Sequence, residues 1–421
     1  LAVGSGPIPF LYRRKGWNIQ ATNGKDVASG ETMASMNTVI GISLLNLVPG
    51  SIGGQERYIR RLIDGFQREL ASESVILYAC REAAQLWPEL PAGWKLRVLP
   101  VRGGNRVRRV LFEQLFLPFY LRNDGVTVSF HPSYTAPWAP GIDKRMVSIL
   151  DAQLAHVPAD FGRMERLAWK IFVPTAARRA DAVIAVSRAA ARDVAAAYRV
   201  DSSRIHGIPL GVDPFFCPGD ASAPDSGEPN PVELQPYILA VGDTYPHKNF
   251  DNLVRALGSE AGRRYPEMKL VIVGRARRGE AAVEAARSEA GIGSRLIRLQ
   301  GVSEAGLRSL YRGCRLFVMP SLYEGFCLPL AEALACGAPV ICHDHPVLRE
   351  VGGEAACYLD AREPEALAAS IAFLWADNDM RRRMSELGPR RAALFSWAAT
   401  VSEHVRVLRS LEGDRGIRGT R

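Results

Sequence analysis

Two carboxylates, Glu324 and Glu332, stand eight positions apart in the stretch LFVMPSLYEGFCLPLAEALACGAPVIC, which runs from Leu316 to Cys342. A helix expected to start near Pro329 would offer unpaired N–H groups and a positive dipole end, suited to an anionic phosphate. A carboxylate beside such a site is suited to accepting hydrogen bonds from hydroxyls, as a ribose or another sugar would offer. Lys248 lies in the turn Gly242-Asp243-Thr244-Tyr245-Pro246-His247-Lys248-Asn249, where it is a suitable point charge for a pyrophosphate. Asp151 follows a short apolar run at 147–150, and Gly53-Gly54 follow another at 38–45. Each has a bland alternative. Glu332 can simply complement a helix dipole, Glu324 and Lys248 can be solvated, Asp151 can cap a loop, and the glycines can serve a tight turn. Taken alone, two Glu at this spacing favour the bland reading.

The elements around these residues are those of a doubly wound sheet. Residues 316–319 have the length and apolarity of a buried parallel strand. Pro320 and Ser321 break it, Pro329 suits a first helical position, and Gly337 suits the left-handed residue past a helix end. This makes residues 330–336 a helix, with Glu332 in its first turn, and 339–342 a second strand. Parallel strands joined by a helix need a right-handed crossover, and ligands sit outside the carboxyl ends of such strands. The loop 321–328 is therefore the expected ligand position. The same logic applies to strand 38–45, glycine turn and helix 55–70, and to strands ending at Asp151, Gly242, Gly274-Arg275 and Gly301-Val302. Ser187 is expected to cap a helix reaching Tyr198.

The chain has 421 residues, 47% of them apolar and 23% charged, which is enough for two cores. A net charge of +9 allows nucleic acid, acidic lipid surfaces or anionic substrates as partners. No nucleic-acid-binding module is present to favour the first. The seven cysteines lack framework spacing and read as free thiols in a reducing compartment. No apolar run is long enough to span a bilayer. Residues 1–35 are Gly-, Ser- and Thr-rich and begin with Leu, so the domain is expected to start near Met36 after a disordered or mispredicted extension. In 102–122, arginines 106, 108 and 109 precede Phe112, Leu115, Phe116, Phe119 and Tyr120. Such a segment can lie in a membrane interface. The expectation favoured here is a helix that buries its aromatics in the core and solvates its arginines.

The string Pro320, Ser321, Glu324, Gly325, Phe326, Leu328, Pro329, Glu332, Ala333, Gly337, Pro339, Val340 resembles the signature of the family-4 retaining glycosyltransferases, which have the GT-B fold. The resemblance runs from about Met36 to Leu411. It takes in Pro209-Leu210-Gly211-Val212-Asp213 and Phe395-Ser396-Trp397. It implies an α/β fold of two Rossmann-like doubly wound domains facing across a cleft. Residues 36–205 would form the acceptor domain, 206–235 a linker and 236–397 the donor domain, with a last helix at 398–411 packing back on the first. Glu324, Asp151 and Lys248 would then be the catalytic group. Gly53, Gly54, Gly242, His247, Lys248, Arg275, Val302, Gly325, Phe326, Cys327, Leu328 and Glu332 would bind the donor. Within that set Glu324 would orient the sugar, Glu332 the ribose, Lys248 the diphosphate, and Val302 would lie against the base.

The chain departs from the family pattern in three places. Cys327 replaces a glycine, Leu150 stands where relatives have a histidine, and Asp243 stands in a turn that usually carries an arginine. His247 would supply a donor there, with a plain surface histidine as its alternative. The expected activity is retaining transfer of a hexose, mannose by the Pro-His-Lys-Asn form, from a nucleotide-sugar such as GDP-mannose. The acceptor would be a glycan or lipid-linked molecule in cell-surface polysaccharide synthesis. No cofactor or metal is expected, since no Asp-x-Asp or His-rich constellation stands in the expected place. The expected location is cytoplasmic, with peripheral contact at the inner face of the plasma membrane. A non-catalytic nucleotide-sugar-binding protein and a nucleotide-sugar epimerase are the alternatives. A dinucleotide dehydrogenase is disfavoured by the lack of Gly-x-Gly-x-x-Gly after the early strands.

Overall fold

The structure is a computed structural model and describes residues 38–50, 53–139, 144–219 and 230–413. The expected extension at 1–35 lies outside the described residues. Seven strands, β1 Val39–Leu44, β2 Ser74–Ala79, β3 Trp94–Val98, β4 Val128–His131, β5 Lys144–Ser148, β6 Ala182–Ala185 and β7 Ile205–Gly207, form one parallel sheet in the order β3-β2-β1-β4-β5-β6-β7. Six more, β8 Tyr237–Val241, β9 Lys269–Val273, β10 Leu296–Leu299, β11 Leu316–Met319, β12 Val340–His343 and β13 Ala356–Leu359, form a second in the order β10-β9-β8-β11-β12-β13. The central strands are almost wholly buried, as strands covered by helices on both faces must be. Strand order reverses between β1 and β4 in the first sheet and between β8 and β11 in the second. These switch points are where loops can hold a ligand. This is the two-unit α/β architecture expected from the sequence. The first sheet runs on to Gly207, past the residue 205 expected as its limit, because Ile205–Gly207 pairs with β6.

The last helix, Trp397–Gly413, packs against the first, Gly54–Glu69. At their crossing the Tyr58 hydroxyl lies 2.8 Å from His404 Nε2 and 2.7 Å from Ser148 Oγ, all three side chains buried. Burial pushes the His404 imidazole down to about 4, so the ring is neutral at physiological pH. Gly65 makes the crossing close, since a Cβ at that position would overlap the Val401 side chain.

The segment 102–122 departs from expectation. It forms two short helices, Arg106–Leu115 and Leu117–Asn123, with Pro118 at the start of the second. The aromatics are not all core. Leu115, Phe116 and Phe119 are 68%, 53% and 63% exposed, and Val107 and Leu111 are exposed as well. Arg109 and Glu113 take the inner face instead, with the Thr135 hydroxyl donating to Glu113 at 2.9 Å. Met164, Leu167 and Ile171 on helix Arg163–Arg179 are also exposed, and an Arg106–Glu165 ion pair ties that helix to this one. Among the described residues no helix is long and apolar enough to cross a membrane.

Filling the space at Gly65 should pry the last helix off the first. Gly65→Leu is expected to cost about 2–3 kcal/mol of stability through overpacking, read as a lower urea midpoint. An unchanged midpoint would mean the two helices do not pack this closely.

Candidate active site

The loop after β11 carries Glu324, and the turn Pro246–Lys248 after β8 carries Lys248. The two switch-point loops meet there: Lys248 Nζ donates to Glu324 Oε1 at 2.6 Å, with only 14% and 11% of the two side chains exposed. Burial alone would push the Glu324 carboxyl up. The charges of Lys248 and His247 outweigh it and hold the group below the usual range. Burial likewise pulls Lys248 down, and the Glu324 carboxylate more than reverses this. The pair is therefore ionised and largely buried, which makes a field stronger than the same charges would make in water.

Asp151 reaches this pair from the end of the first sheet. It packs against Gly325, where a Cβ would come within 3.1 Å of its Oδ2. Any side chain at 325 would crowd Asp151 and the Leu150 carbonyl, so glycine eases this approach. Burial raises the Asp151 carboxyl, opposed by the Gln153 N–H at 3.0 Å and by the Tyr134 hydroxyl, with the Glu324 charge pushing it further up.

Glu332 lies in the second turn of helix Leu328–Ala335, not the first. The helix begins at Leu328 with Pro329 one position in, because Cys327 turns the chain with φ 77°. A side chain in this left-handed conformation is strained by about 1–2 kcal/mol. Cys327 thus holds a left-handed backbone that a glycine would adopt freely. Its buried thiol is pushed up in pKa by burial and stays neutral. Glu332 is paired with Arg57 of the opposite half and accepts from the Tyr311 hydroxyl at 3.1 Å. Arg57 also reaches Glu304 at 2.7 Å. Burial pushes the Glu332 carboxyl up to about 7 even so. Arg57 escaped the sequence reading. It sits in the first turn of Gly54–Glu69, beside the turn at Gly53 whose φ of 54° and ψ of −127° suit glycine alone. The only sequence signal for it is a charge three residues after Gly54, adjoining the apolar stripe.

The missing arginine of the 242–249 turn is met from a neighbouring strand. Asp243 holds Arg275 at 3.0 Å and Arg277 at 3.1 Å, and Arg275 reaches across to the Gly50 carbonyl at 3.2 Å. Arg275 therefore stands beside Gly53 in the cleft. Gly242 lies against the methylenes of Lys248, and Leu328 faces Gly54 across the gap. Val302 is half-buried after Gly301. Two of the expected donor residues have buried side chains. His247 is no surface histidine but is buried and paired with Asp160 and Gln153. Phe326 is buried edge-on against Phe395 at 5.4 Å.

The two halves close on each other beyond Glu324. Ser187, which caps its helix as expected, donates to the Gly325 carbonyl at 2.8 Å. Glu350 accepts from the Arg188 and Ala189 N–H groups at 2.8 and 2.7 Å. Among the described residues no cluster of three His, Cys, Asp or Glu side chains has the geometry of a metal site.

Two parallel doubly wound sheets with their carboxyl ends facing a common cleft are the architecture of the GT-B class. Two family models match the chain: Glycosyltransferase Family 4 over residues 52–215, and Glycosyl transferases group 1 over residues 224–391. The chain belongs to the family-4 glycosyltransferases of GT-B fold. It is 34% identical over 181 residues to O-antigen chain mannosyltransferase B of Escherichia coli, covering 42% of this chain and 46% of the relative. It is 28% identical over 236 residues to the MMP alpha-(1->4)-mannosyltransferase of Mycolicibacterium hassiacum, covering 55% of this chain and 54% of the relative. The chain thus spans about half the length of the curated relatives it matches. In fold it resembles sucrose-phosphate synthase of Thermosynechococcus elongatus, with a TM-score of 0.69, 21% identity, 90% of this chain and 100% of that one.

Removing one member of the buried pair strands the other. Lys248→Met is expected to cost about 3–5 kcal/mol. Adding Glu324→Gln should recover much of that loss, giving a coupling of at least about 1 kcal/mol in a denaturation cycle. The depressed Glu324 pKa contributes stability that is present above the ordinary carboxylate range and lost as pH falls through its folded value. Without Lys248 that value rises, so the single variant should lose more stability at neutral than at acid pH.

Proposed function

We propose that this protein is a retaining hexosyltransferase that moves mannose from GDP-mannose to a hydroxyl of a glycan or lipid-linked acceptor. The observation that carries this reading is the largely buried Lys248–Glu324 pair with Asp151 beside it, where the carboxyl ends of two doubly wound sheets converge. Lys248, Arg275 and the glycine amides of the 53–54 and 325–327 turns would meet the charge of the departing diphosphate, without a metal in this reading. Glu324 would accept from hydroxyls of the transferred sugar. Glu332 would exchange Arg57 for the ribose hydroxyls, and Val302 would lie against the base. In a front-face displacement the sugar–phosphate bond breaks as the acceptor oxygen bonds to the same face. The acceptor proton passes to the leaving phosphate oxygen. Asp151, which lies against Gly325, would orient the acceptor hydroxyl. Mannose is favoured by the names of the relatives just described and by the Pro-His-Lys-Asn turn.

A lipid-linked acceptor at an acidic bilayer is supported by the exposed surface of the first half. Val107, Leu111, Leu115, Phe116 and Phe119 are exposed on or between the two short helices, and Met164, Leu167 and Ile171 on the helix that the Arg106–Glu165 ion pair ties to them, with Arg108, Arg122, Arg163 and Lys170 exposed on the same helices. Apolar residues ringed by cations suit the headgroup boundary of anionic lipid.

A nucleotide that binds only the folded state at a hundredfold excess over its Kd should add about 2.7 kcal/mol of apparent stability. GDP and GDP-mannose are expected to raise Tm. A shift with UDP alone would discard mannose, and no shift with any nucleotide would favour the non-catalytic alternative. Glu324→Gln should lower turnover by about 10²–10³-fold and leave the nucleotide shift intact. A fully active variant would remove Glu324 from the mechanism. The triple variant Leu115→Asp, Phe116→Asp, Phe119→Asp should lose sedimentation with phosphatidylglycerol vesicles while keeping its Tm. Equal sedimentation would end the bilayer assignment.

A further inference from the structure

Beyond Glu324 the junction of the two halves opens into a cavity of about 710 Å³, within the range of small-molecule sites. None of the expected donor residues lines it. One wall comes from the first sheet's side, through His156, Arg192 and Asp193. The other comes from the loop after β11, the end of β12 and the loop that follows it, through Tyr323, His343 and His345. Tyr323 immediately precedes Glu324, so the cavity adjoins the proposed sugar position.

The lining is specific in chemistry. The His156 ring stacks on Tyr323, 5.1 Å between centroids and 20° between planes, and His345 meets the same tyrosine edge-on at 5.6 Å. The tyrosine ring is locked from both ends of its hydroxyl, which donates to Asp193 at 2.6 Å and accepts from the Ala152 N–H at 2.8 Å. Asp193 also holds His156 Nε2 at 2.6 Å. Burial pulls the His343 and His345 imidazoles below their usual range, so both are neutral near pH 7; each accepts a backbone N–H at Nδ1, from Ala361 at 3.2 Å and from Val347 at 3.3 Å, which leaves its Nε2–H as a donor. Arg362 is tied to Asp360 through three side-chain bonds, of 2.8, 3.2 and 2.6 Å. Arg192 makes no hydrogen bond or ion pair among the described residues and stands exposed at the rim. A rigid aromatic cluster, neutral imidazoles, one shared carboxylate and one uncommitted guanidinium match a sugar ring. Such a ring has an apolar C–H face and a polar edge of hydroxyls. A bare phosphate would instead call for convergent free cations, and only Arg192 is free.

We propose that this cavity is a pyranose subsite for the acceptor glycan, with the ring lying against the His156–Tyr323 cluster and its hydroxyls meeting Arg192. The proposal rests on the glycosyl-transfer reading for the word acceptor, but the binding site itself can be tested apart from transfer.

The probe is a panel of methyl glycosides of glucose, galactose, mannose and N-acetylglucosamine, titrated into full-length protein carrying isotope-labelled histidine. At least one glycoside should move the His156 and His345 imidazole resonances together. Arg192→Ala should weaken that binding about tenfold, the loss of one hydrogen bond to a charged group. Arg192→Trp, which fills the rim, should abolish it. Both variants should keep the nucleotide-induced rise in Tm. No movement of these resonances with any glycoside overturns the proposal, as does undiminished binding to Arg192→Trp. Failure of the nucleotide shift in the unmodified protein would instead count against the transfer reading, and the imidazole titration would still decide the cavity.

Discussion

A carboxylate taken out of water between two sheets must find a cation or give up its charge. This requirement organises the cleft. Glu324 takes Lys248 from the adjoining loop of its own sheet, Glu332 takes Arg57 from the other half, and Asp243 takes Arg275, which in turn reaches the Gly50 carbonyl across the gap. The backbone is shaped to let these pairs form. Gly325 admits Asp151 at close range, and Gly53 turns the chain so that the first turn of Gly54–Glu69 carries Arg57 to Glu332. The two halves are thus joined by charge pairing at the position where a charged ligand would enter. Any anionic ligand there has cations already held in place by carboxylates, which limits the reorganisation needed on binding.

Two of the three departures from the family pattern are answered locally. Asp243 removes a cation from its turn but anchors Arg275 and Arg277, so the positive charge returns from the end of β9. Cys327 keeps the left-handed backbone that a glycine would adopt freely, and its thiol is buried rather than aimed at solvent. Leu150 has no such answer. Its carbonyl lies 3.2 Å from the Gly325 Cβ position.

The sheets were legible because buried parallel strands are continuous apolar runs bounded by Pro, Gly and Ser. The ligand loops followed from the rule that sites lie at carboxyl ends. The turn holding Glu332 was misplaced because Pro329 is equally acceptable at the first or second helical position, and only the conformation of Cys327 decides. Arg57 was missed because a charge beside a glycine turn looks the same whether it faces solvent or a carboxylate on the other sheet. The segment 102–122 misled for a related reason. An apolar helical face carries the same periodicity whether protein covers it or nothing does. The informative pair was Arg109 and Glu113, four residues apart, which occupy the inner side and turn Leu111, Leu115 and Phe116 outward.

The return of helix Trp397–Gly413 to the first sheet also orders events during synthesis. Val401, Val405 and Leu408 belong to the same buried cluster as Ile40 and Ile42 of β1, and His404 closes the polar contact begun by Tyr58 and Ser148. A ribosome delivers residue 40 hundreds of residues before residue 408. The second sheet, whose strands all lie between Tyr237 and Leu359, has all its strands before that last helix emerges. The half of the molecule made first is therefore the half completed last, and until then its cover over Tyr58 and Phe66 is open.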